Sequence, residues 1–332
     1  MDAALETRAE SLPSRVEIVD VLRGIAILAM IVYHFAWDLS AYRLIATDIT
    51  LDPWWIMVAR LIAGTFIGLV GVNLVLAERN GFHTGRYLRR LAIVALAAGL
   101  VSAGTYWFFP NAFVFFGILH CIVVASVLAL PFLRAPMWIT AAAAIFFLAG
   151  SSFLTSPFFN APGWYWLGLS SVPPVSVDYV PLFPWFGVVL AGVIVGRFIT
   201  DTGDWPIWHW RPGDRPLRSV IVAGRWSLLI YLVHQPILIG ALTLLMPLLG
   251  PSQTALAEQL TSEYDASCAV AGYEESACAA YSACILGKLG KEDGLLLAAS
   301  RHQLTAKQVE LWQITVAECR VKTLPPEVAG GI

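Results

Sequence analysis

His34 and Asp38 stand four residues apart in the stretch RVEIVDVLRGIAILAMIVYHFAWD, residues 15–38. On a helix that spacing puts the carboxylate one turn from the imidazole, on the same face. An aspartate accepting from one ring nitrogen fixes the tautomer and raises the basicity of the other. Such an imidazole can take a proton from an incoming amine or hydroxyl as a general base. It can also attack a thioester and carry the acyl group itself. Both uses stay open on these residues, as does the plain reading in which Asp38 is the solvated start of a loop. A second pair, Asp20 and Arg23, lies near the start of the same stretch at i,i+3. It reads either as an ion pair that fixes helix packing or as a site where Arg23 holds an anionic donor.

Other groups extend this chemistry. His120 lies in FFGILHCIVV and His234 in SLLIYLVHQPIL. Each is a reactive candidate or a core histidine bonded to a neighbouring carbonyl. Arg86, Arg89 and Arg90 have the spacing of one helical face, and three guanidinium groups there can grip phosphates bidentately. Arginines ahead of a membrane span are also what topology alone requires. Asn73 lies near the same side, at the end of an apolar run.

These groups sit in a chain of 332 residues that is 58% hydrophobic and only 13% charged, a composition that excludes an ordinary soluble domain. Seven runs approach the roughly 20 residues that cross a bilayer as a helix: 18–37, 54–77, 91–109, 113–133, 137–154, 181–199 and 220–249. Pro236 is expected to kink the last. The runs lack the alternation of barrel strands. The fold expected is an all-α polytopic membrane bundle of about seven transmembrane helices, with a small helical C-terminal region.

Arginines set the orientation. Arg8 and Arg15 precede the first run. Arg79, Arg86, Arg89 and Arg90 separate the second from the third, Arg134 the fourth from the fifth, and Arg197, Arg211, Arg215 and Arg218 surround the loop after the sixth. The alternate connections hold almost only Arg43. The N-terminal tail, 1–14, is therefore expected in the cytoplasm and residues 251–332 outside. At 1.5 Å rise per residue, His34 is about 24 Å from the inner start of its span and His234 about 21 Å, while His120 enters from outside to a depth of about 10 Å. All three imidazoles fall in the outer half of the membrane. The outer loop 155–180 is rich in Pro, Gly and aromatic residues, with Trp164, Tyr165, Trp166 and Tyr179 suited to an interfacial belt or to a platform for sugar faces.

Residues 251–332 change character. They are acidic on balance, contain no run long enough to span, and hold two segments, SACILGKLGKEDGLLLAAS and TAKQVELWQITVAECRVK, that read as short amphipathic helices. Cys268, Cys278, Cys284 and Cys319 fall here, enough for two disulfides in an oxidising compartment, and the sequence leaves all three connectivities open. No C-x-x-C zinc pattern occurs and no nucleic-acid signature, so neither a metal nor a nucleic acid is expected.

The stretches DVLRGIAILAMIVYHF, FIGLVGVNLVLAERNG, GRYLRRL, GILHCIVVASVLALPF, VDYVPLFPWFGVVLAGVIVG and SLLIYLVHQPIL follow one another in order. Together they resemble the bacterial branch of the heparan-alpha-glucosaminide N-acetyltransferase family over residues 15–245. The resemblance implies acetyl transfer across a membrane, from cytosolic acetyl-CoA as acyl-donor substrate to an amino sugar or other glycan outside. It brings Asp178, Tyr179 and Trp185 in as substrate-side candidates beside His120 and His234. Relatives of this kind also place a histidine before the second span. TDITLDPWW has none, which leaves Asp48, Asp52 or His34 alone for that role.

The reading is thus a multi-pass acyltransferase of a bacterial inner membrane, occupying residues 15–250. His34 is catalytic and Asp38 orients it; Arg23, Arg86, Arg89, Arg90 and Asn73 bind the donor. Its rivals are a proton-coupled transporter with histidine relays, a metal site made of His34, His120 and His234, and a non-catalytic membrane protein. Against transport, no paired helix breaks occur in matching halves of the chain.

Overall fold

The computed structural model describes residues 16–202, 210, 213–250, 252–292, 294–300 and 303–325. Arg8, Arg15 and Arg211 lie outside the described residues. The helices are α1 (Glu17–Ala41), α2 (Pro53–Arg79), α3 (Thr84–Phe108), α4 (Ile118–Leu128), α5 (Met137–Leu154), α6 (Leu182–Asp201), α7 (Arg215–Arg225) and α8 (Ser227–Leu249). They are followed by α9 (Gln253–Val270), α10 (Glu275–Leu289), α11 (Leu295–Ser300) and α12 (Ala306–Thr323). Among the described residues there is no strand, only an isolated bridge between Ser156 and Ser170. Helices α1, α2, α3, α5, α6 and α8 are long and apolar enough to cross a bilayer. The chain is an all-α, multi-pass membrane protein.

Three expected spans are drawn differently. The fourth, 113–133, is an 11-residue α4 followed by the 3₁₀ helix Leu130–Leu133. Pro131 has no N–H to continue the α-helical ladder, and the chain tightens into i,i+3 bonding there. The short segment still reaches the far end. Arg134, just beyond it, bonds Glu78 at the end of α2 at 2.7 Å, and Arg197 of α6 donates to the carbonyls of Phe132 and Ala135 at 3.3 and 2.6 Å. The last span is interrupted at Trp226, whereas α8 runs through Pro236. The arginines Arg215, Arg218 and Arg225 make α7 an amphipathic segment rather than the start of a span. Helix α3 begins at Thr84, so Arg86, Arg89 and Arg90 stand in its first two turns.

Two compact units form. One joins the described residues up to Val32 with Met57–Pro236; the other joins Tyr33–Ile56 with the described residues from Ile237 on. The first unit is built on α6, half of whose most apolar stretch is buried (50%) against 11% for α3. Its glycines allow neighbouring backbones to touch, the device membrane helices use when lipid gives no hydrophobic drive to associate. A Cβ on Gly192 would lie 2.0 Å from the Gly68 carbonyl of α2, and one on Gly187 would lie 2.8 Å from the Ala144 carbonyl of α5. Gly71 repeats the fit from the α2 side, 2.1 Å from the Val189 carbonyl. Helices α1 and α7 meet the same way: a Cβ on Gly24 would sit 2.0 Å from the Val220 carbonyl, and one on Gly224 would sit 1.9 Å from that of Asp20. Ile67, Leu74, Cys121, Phe186, Val189 and Val193 fill the core between α2, α4 and α6.

The second unit gathers α9–α12 around Leu256, Leu260, Tyr281, Ile285, Leu289, Leu295 and Cys319. Four helices stand where the sequence suggested two. The expected helix through SACILGKLGKEDGLLLAAS is split after Leu289, with Gly294 in the left-handed region at φ +72°. Helix α9 is capped by Ser252, whose hydroxyl accepts from the Ala255 N–H. Trp312 donates to the Tyr264 hydroxyl at 2.8 Å. Disulfides join Cys268 to Cys278 and Cys284 to Cys319, resolving the three open connectivities to one.

Two outcomes follow from this packing. Gly192→Val forces α2 and α6 apart and is expected to cost about 1–3 kcal/mol as overpacking. Gly104→Ala, which meets nothing within 4 Å, is the matched control and leaves the melting temperature unchanged or slightly higher. Cys→Ser replacement of each bridge is expected to destabilise the second unit on loop-closure grounds, by about 3 kcal/mol for the shorter loop and about 4 kcal/mol for the longer, measured as loss of denaturant resistance in protease-protection assays.

Candidate active site

The polar groups of the first unit fall into two clusters at opposite ends of its helices. One surrounds the start of α4. Gly117 caps that helix in an extended conformation, φ −95°. No side chain fits there, because a Cβ would lie 2.2 Å from Oδ2 of Asp178. The Asp178 carboxylate accepts the Ile118 N–H at 3.0 Å and the Tyr231 hydroxyl of α8 at 3.3 Å. Its loop is tied down by the Ser176 hydroxyl, which donates to the Phe113 carbonyl at 3.0 Å, and by Val180 N–H on the Phe116 carbonyl at 3.1 Å. Burial pushes the Asp178 carboxyl above the usual carboxylate range, against the lowering effect of its two donors.

His120 and His234 both border this cluster, with opposite tautomers. The Gly117 N–H donates to Nδ1 of His120 at 3.2 Å. Its Nε2 faces the Ser102 hydroxyl at 3.2 Å, and that hydroxyl spends its proton on the Val114 carbonyl at 2.5 Å. The network therefore assigns the proton of His120 to Nε2, and both ring nitrogens are engaged locally. In His234 the order reverses. Nδ1 lies 2.8 Å from the Tyr231 carbonyl and must carry the proton, so the lone pair of the neutral ring is on the buried Nε2. Tyr179 donates its hydroxyl to the Tyr165 carbonyl at 2.7 Å. Burial, with Tyr165 beside it, pushes that phenol up to about 12. Trp185 lies on α6 close to Gly64 of α2.

The other cluster is charged. Asp20, 5% exposed, is held between Arg23 at 2.9 Å and Arg225 at 3.3 Å, and Arg225 also reaches Glu17 at 3.7 Å. Arg79 pairs with Asp201 and Arg134 with Glu78. Arg86, Arg89 and Arg90 open α3 with no acid in its first turn and no side-chain cap from His83. Cations there oppose the helix dipole, which favours an anion at that end. Arg23 and Arg90 are close enough for their charges to repel. The Asn73 amide donates to the Leu69 carbonyl of its own helix at 2.5 Å.

His34 and Asp38 belong to the second unit, on the later turns of α1. The helix is unbroken through both, as the i,i+4 reading requires. Asp38 is fully buried at 0% exposure, so it is not a solvated loop start; His34 is half-buried, with the Tyr33 ring edge-on at 5.6 Å. The two acids of TDITLDPWW shape the turn into α2. Asp48 accepts from the N–H of Thr50 at 2.9 Å, and Asp52 caps α2 through the N–H groups of Trp54 and Trp55 at 2.9 and 3.1 Å.

Residues 15–236 match the family model described as heparan-alpha-glucosaminide N-acetyltransferase, catalytic. The chain belongs to that family. It is a membrane acetyltransferase in the general sense the family carries. No curated protein and no solved structure matches it. Every candidate from Arg23 to His234 lies inside the matched segment, and α9–α12 lie beyond it. Among the described residues of this acetyltransferase-family chain, no three His, Cys, Asp or Glu side chains gather as a metal site would require.

Sequence reasoning missed Tyr231 and Ser102, which complete the α4 cluster, because neither has a spacing signal to its partners. It also missed Arg225, the second arm on Asp20. Arg60, an exposed guanidinium inside α2, was legible by the same rule that singled out the first span.

Asp178→Asn tests the cluster. Because burial raises the Asp178 pKa, the folded state favours the protonated acid, and its contribution is full below the unfolded value of 3.8 and lost as pH rises through the folded value. The amide mimics the protonated form. Its melting temperature is expected to equal the parent's in acid and to exceed it increasingly towards neutral pH.

Proposed function

We propose that the chain transfers an acetyl group from cytosolic acetyl-CoA to the amine of an amino sugar, or to another glycan, on the outer side of a bacterial inner membrane. The family match over residues 15–236 carries this reading. In it the N-terminus is cytoplasmic and the disulfide-bonded region 251–332 is extracytoplasmic. The arginines gathered at one end of the first unit support that orientation, and so do two disulfides in the C-terminal region.

Arg86, Arg89 and Arg90 hold the phosphates of the donor, with Arg23 beside Arg90. Their placement against the helix dipole is most easily understood if an anion sits among them. His34 takes the proton from the acceptor amine as the nitrogen attacks the thioester carbonyl. The carbon–sulfur bond breaks and CoA leaves as the thiolate, which recovers a proton. Asp38, one turn on and buried, orients the ring and stabilises its protonated form. Asp178, His234 and His120 serve the acceptor side, with Tyr179 and Trp185 among the aromatic groups near it.

The test uses purified full-length protein, labelled acetyl-CoA and a panel of amino sugars. His34→Ala is expected to lower transfer at least a hundredfold, while Arg89→Gln with Arg90→Gln raises KM for acetyl-CoA about tenfold or more, the scale of one lost charged hydrogen bond, at nearly constant kcat. Unchanged transfer by His34→Ala removes the assignment of the base.

A further inference from the structure

A cavity of about 450 Å³ opens between α4 and the 3₁₀ helix Pro162–Leu167, lined by Phe115, Phe116, Val124, Pro162 and Trp166. The residues lining it are aromatic or aliphatic, and the volume lies in the range of sites for whole small molecules. An acetyl group alone would leave most of it empty. Its position along α4 is informative. Val124 is one turn beyond His120, and Val127 and Leu128 are the next residues on the same helical face. Those two are 46% and 40% exposed, on a helix packed among spans, so the face of α4 that borders the groove is exposed and apolar one turn further on. At the other end the Phe116 ring lies 5.8 Å from the His120 ring and 6.4 Å from that of Trp166. One face of α4 thus passes from a polar, aromatic-bordered end to an apolar, lipid-facing one, the profile of an amphiphile lying along it. The aromatic loop suits the headgroup level of a membrane.

We propose that this groove holds the hydrocarbon tail of the acetyl acceptor, so that the acceptor is an amino sugar carried on a membrane lipid rather than a free sugar. The inference rests on the acetyl-transfer reading for its headgroup but not for its tail. The donor's nucleotide and phosphates are not the occupant, because the arginines assigned to them lie at the opposite end of the same unit and no charged residue lines the groove. The tail reaches the groove sideways from the bilayer, with its head beside the α4 cluster.

The test uses the full chain in nanodiscs and a glucosaminyl lipid bearing a photoreactive diazirine in its acyl tail. Crosslinks mapped by mass spectrometry are expected in 115–124 and 162–166, reduced at least fivefold by excess unlabelled glucosaminyl lipid and unaffected by free glucosamine. In turnover, Val124→Trp is expected to lower the ratio of kcat/KM for the lipid-linked over the free amino sugar at least tenfold. Crosslinking no denser in the groove than at Trp138 and Phe146 of α5, which are exposed at 73% and 46%, or insensitive to the unlabelled lipid, overturns the proposal. Crosslinking needs no turnover. A chain that labels as expected but transfers nothing therefore refutes the acetyl-transfer reading and leaves the groove standing, whereas equal turnover of free and lipid-linked sugar, unaltered by Val124→Trp, refutes the groove alone.

Discussion

Backbone contact along α6 is the constraint on which the first unit depends. Gly192 lies against the Gly68 carbonyl of α2 and Gly187 against the Ala144 carbonyl of α5. In lipid, apolar side chains gain little by leaving the bilayer for one another, so close van der Waals fit has to hold helices together. Helix α6 begins directly after the loop that carries Asp178, and its start is fixed by packing on two neighbours. Ser176 and Val180 then dock that loop on residues 113–116. The carboxylate arrives against Gly117 only because each of these fits is tight. A glycine at the head of α4 is the last member of the series, leaving room for an oxygen where a Cβ would stand.

The same scarcity of water explains how ionisable groups are treated. At one end of the first unit they are paired within and between elements, Asp20 with Arg23 and Arg225, Glu78 with Arg134, Asp201 with Arg79. At the other they are gathered by hydrogen bonds, with Asp178 between a backbone N–H and a phenol. Buried polar groups without partners cost several kcal/mol, and each cluster answers that cost differently. The paired end tolerates charge; the hydrogen-bonded end holds a carboxyl whose burial favours its neutral form. The opposite tautomers of His120 and His234 are consequences of that network: Nδ1 of one accepts a backbone N–H at a helix cap, while Nδ1 of the other donates to a backbone carbonyl.

The family match stops at residue 236, and the region beyond is built by different rules. Helices α9–α12 enclose a small core with Cys268–Cys278 and Cys284–Cys319 bridges. A core of that size buries little surface per residue, and covalent closure compensates. This contrast follows the composition change at residue 251.

The sequence by itself determined the class of fold, the family and the side chains available for chemistry. Those depend on local quantities: hydropathy over about 20 residues, the 3.6-residue helical period that sets His34 against Asp38, and the order of short motifs. Tertiary structure decided how the spans seat against one another, because the approach of Gly24 to Gly224 acts between helices, whereas the break at Pro131 is local. It selected one disulfide connectivity of three, since pairing depends on how α9, α10 and α12 pack. It also decided which candidates share a cluster. Tyr231, Ser102 and Arg225 meet Asp178, His120 and Asp20 across separations of up to 205 residues, and no periodicity in a chain encodes a partner that only helix packing brings near.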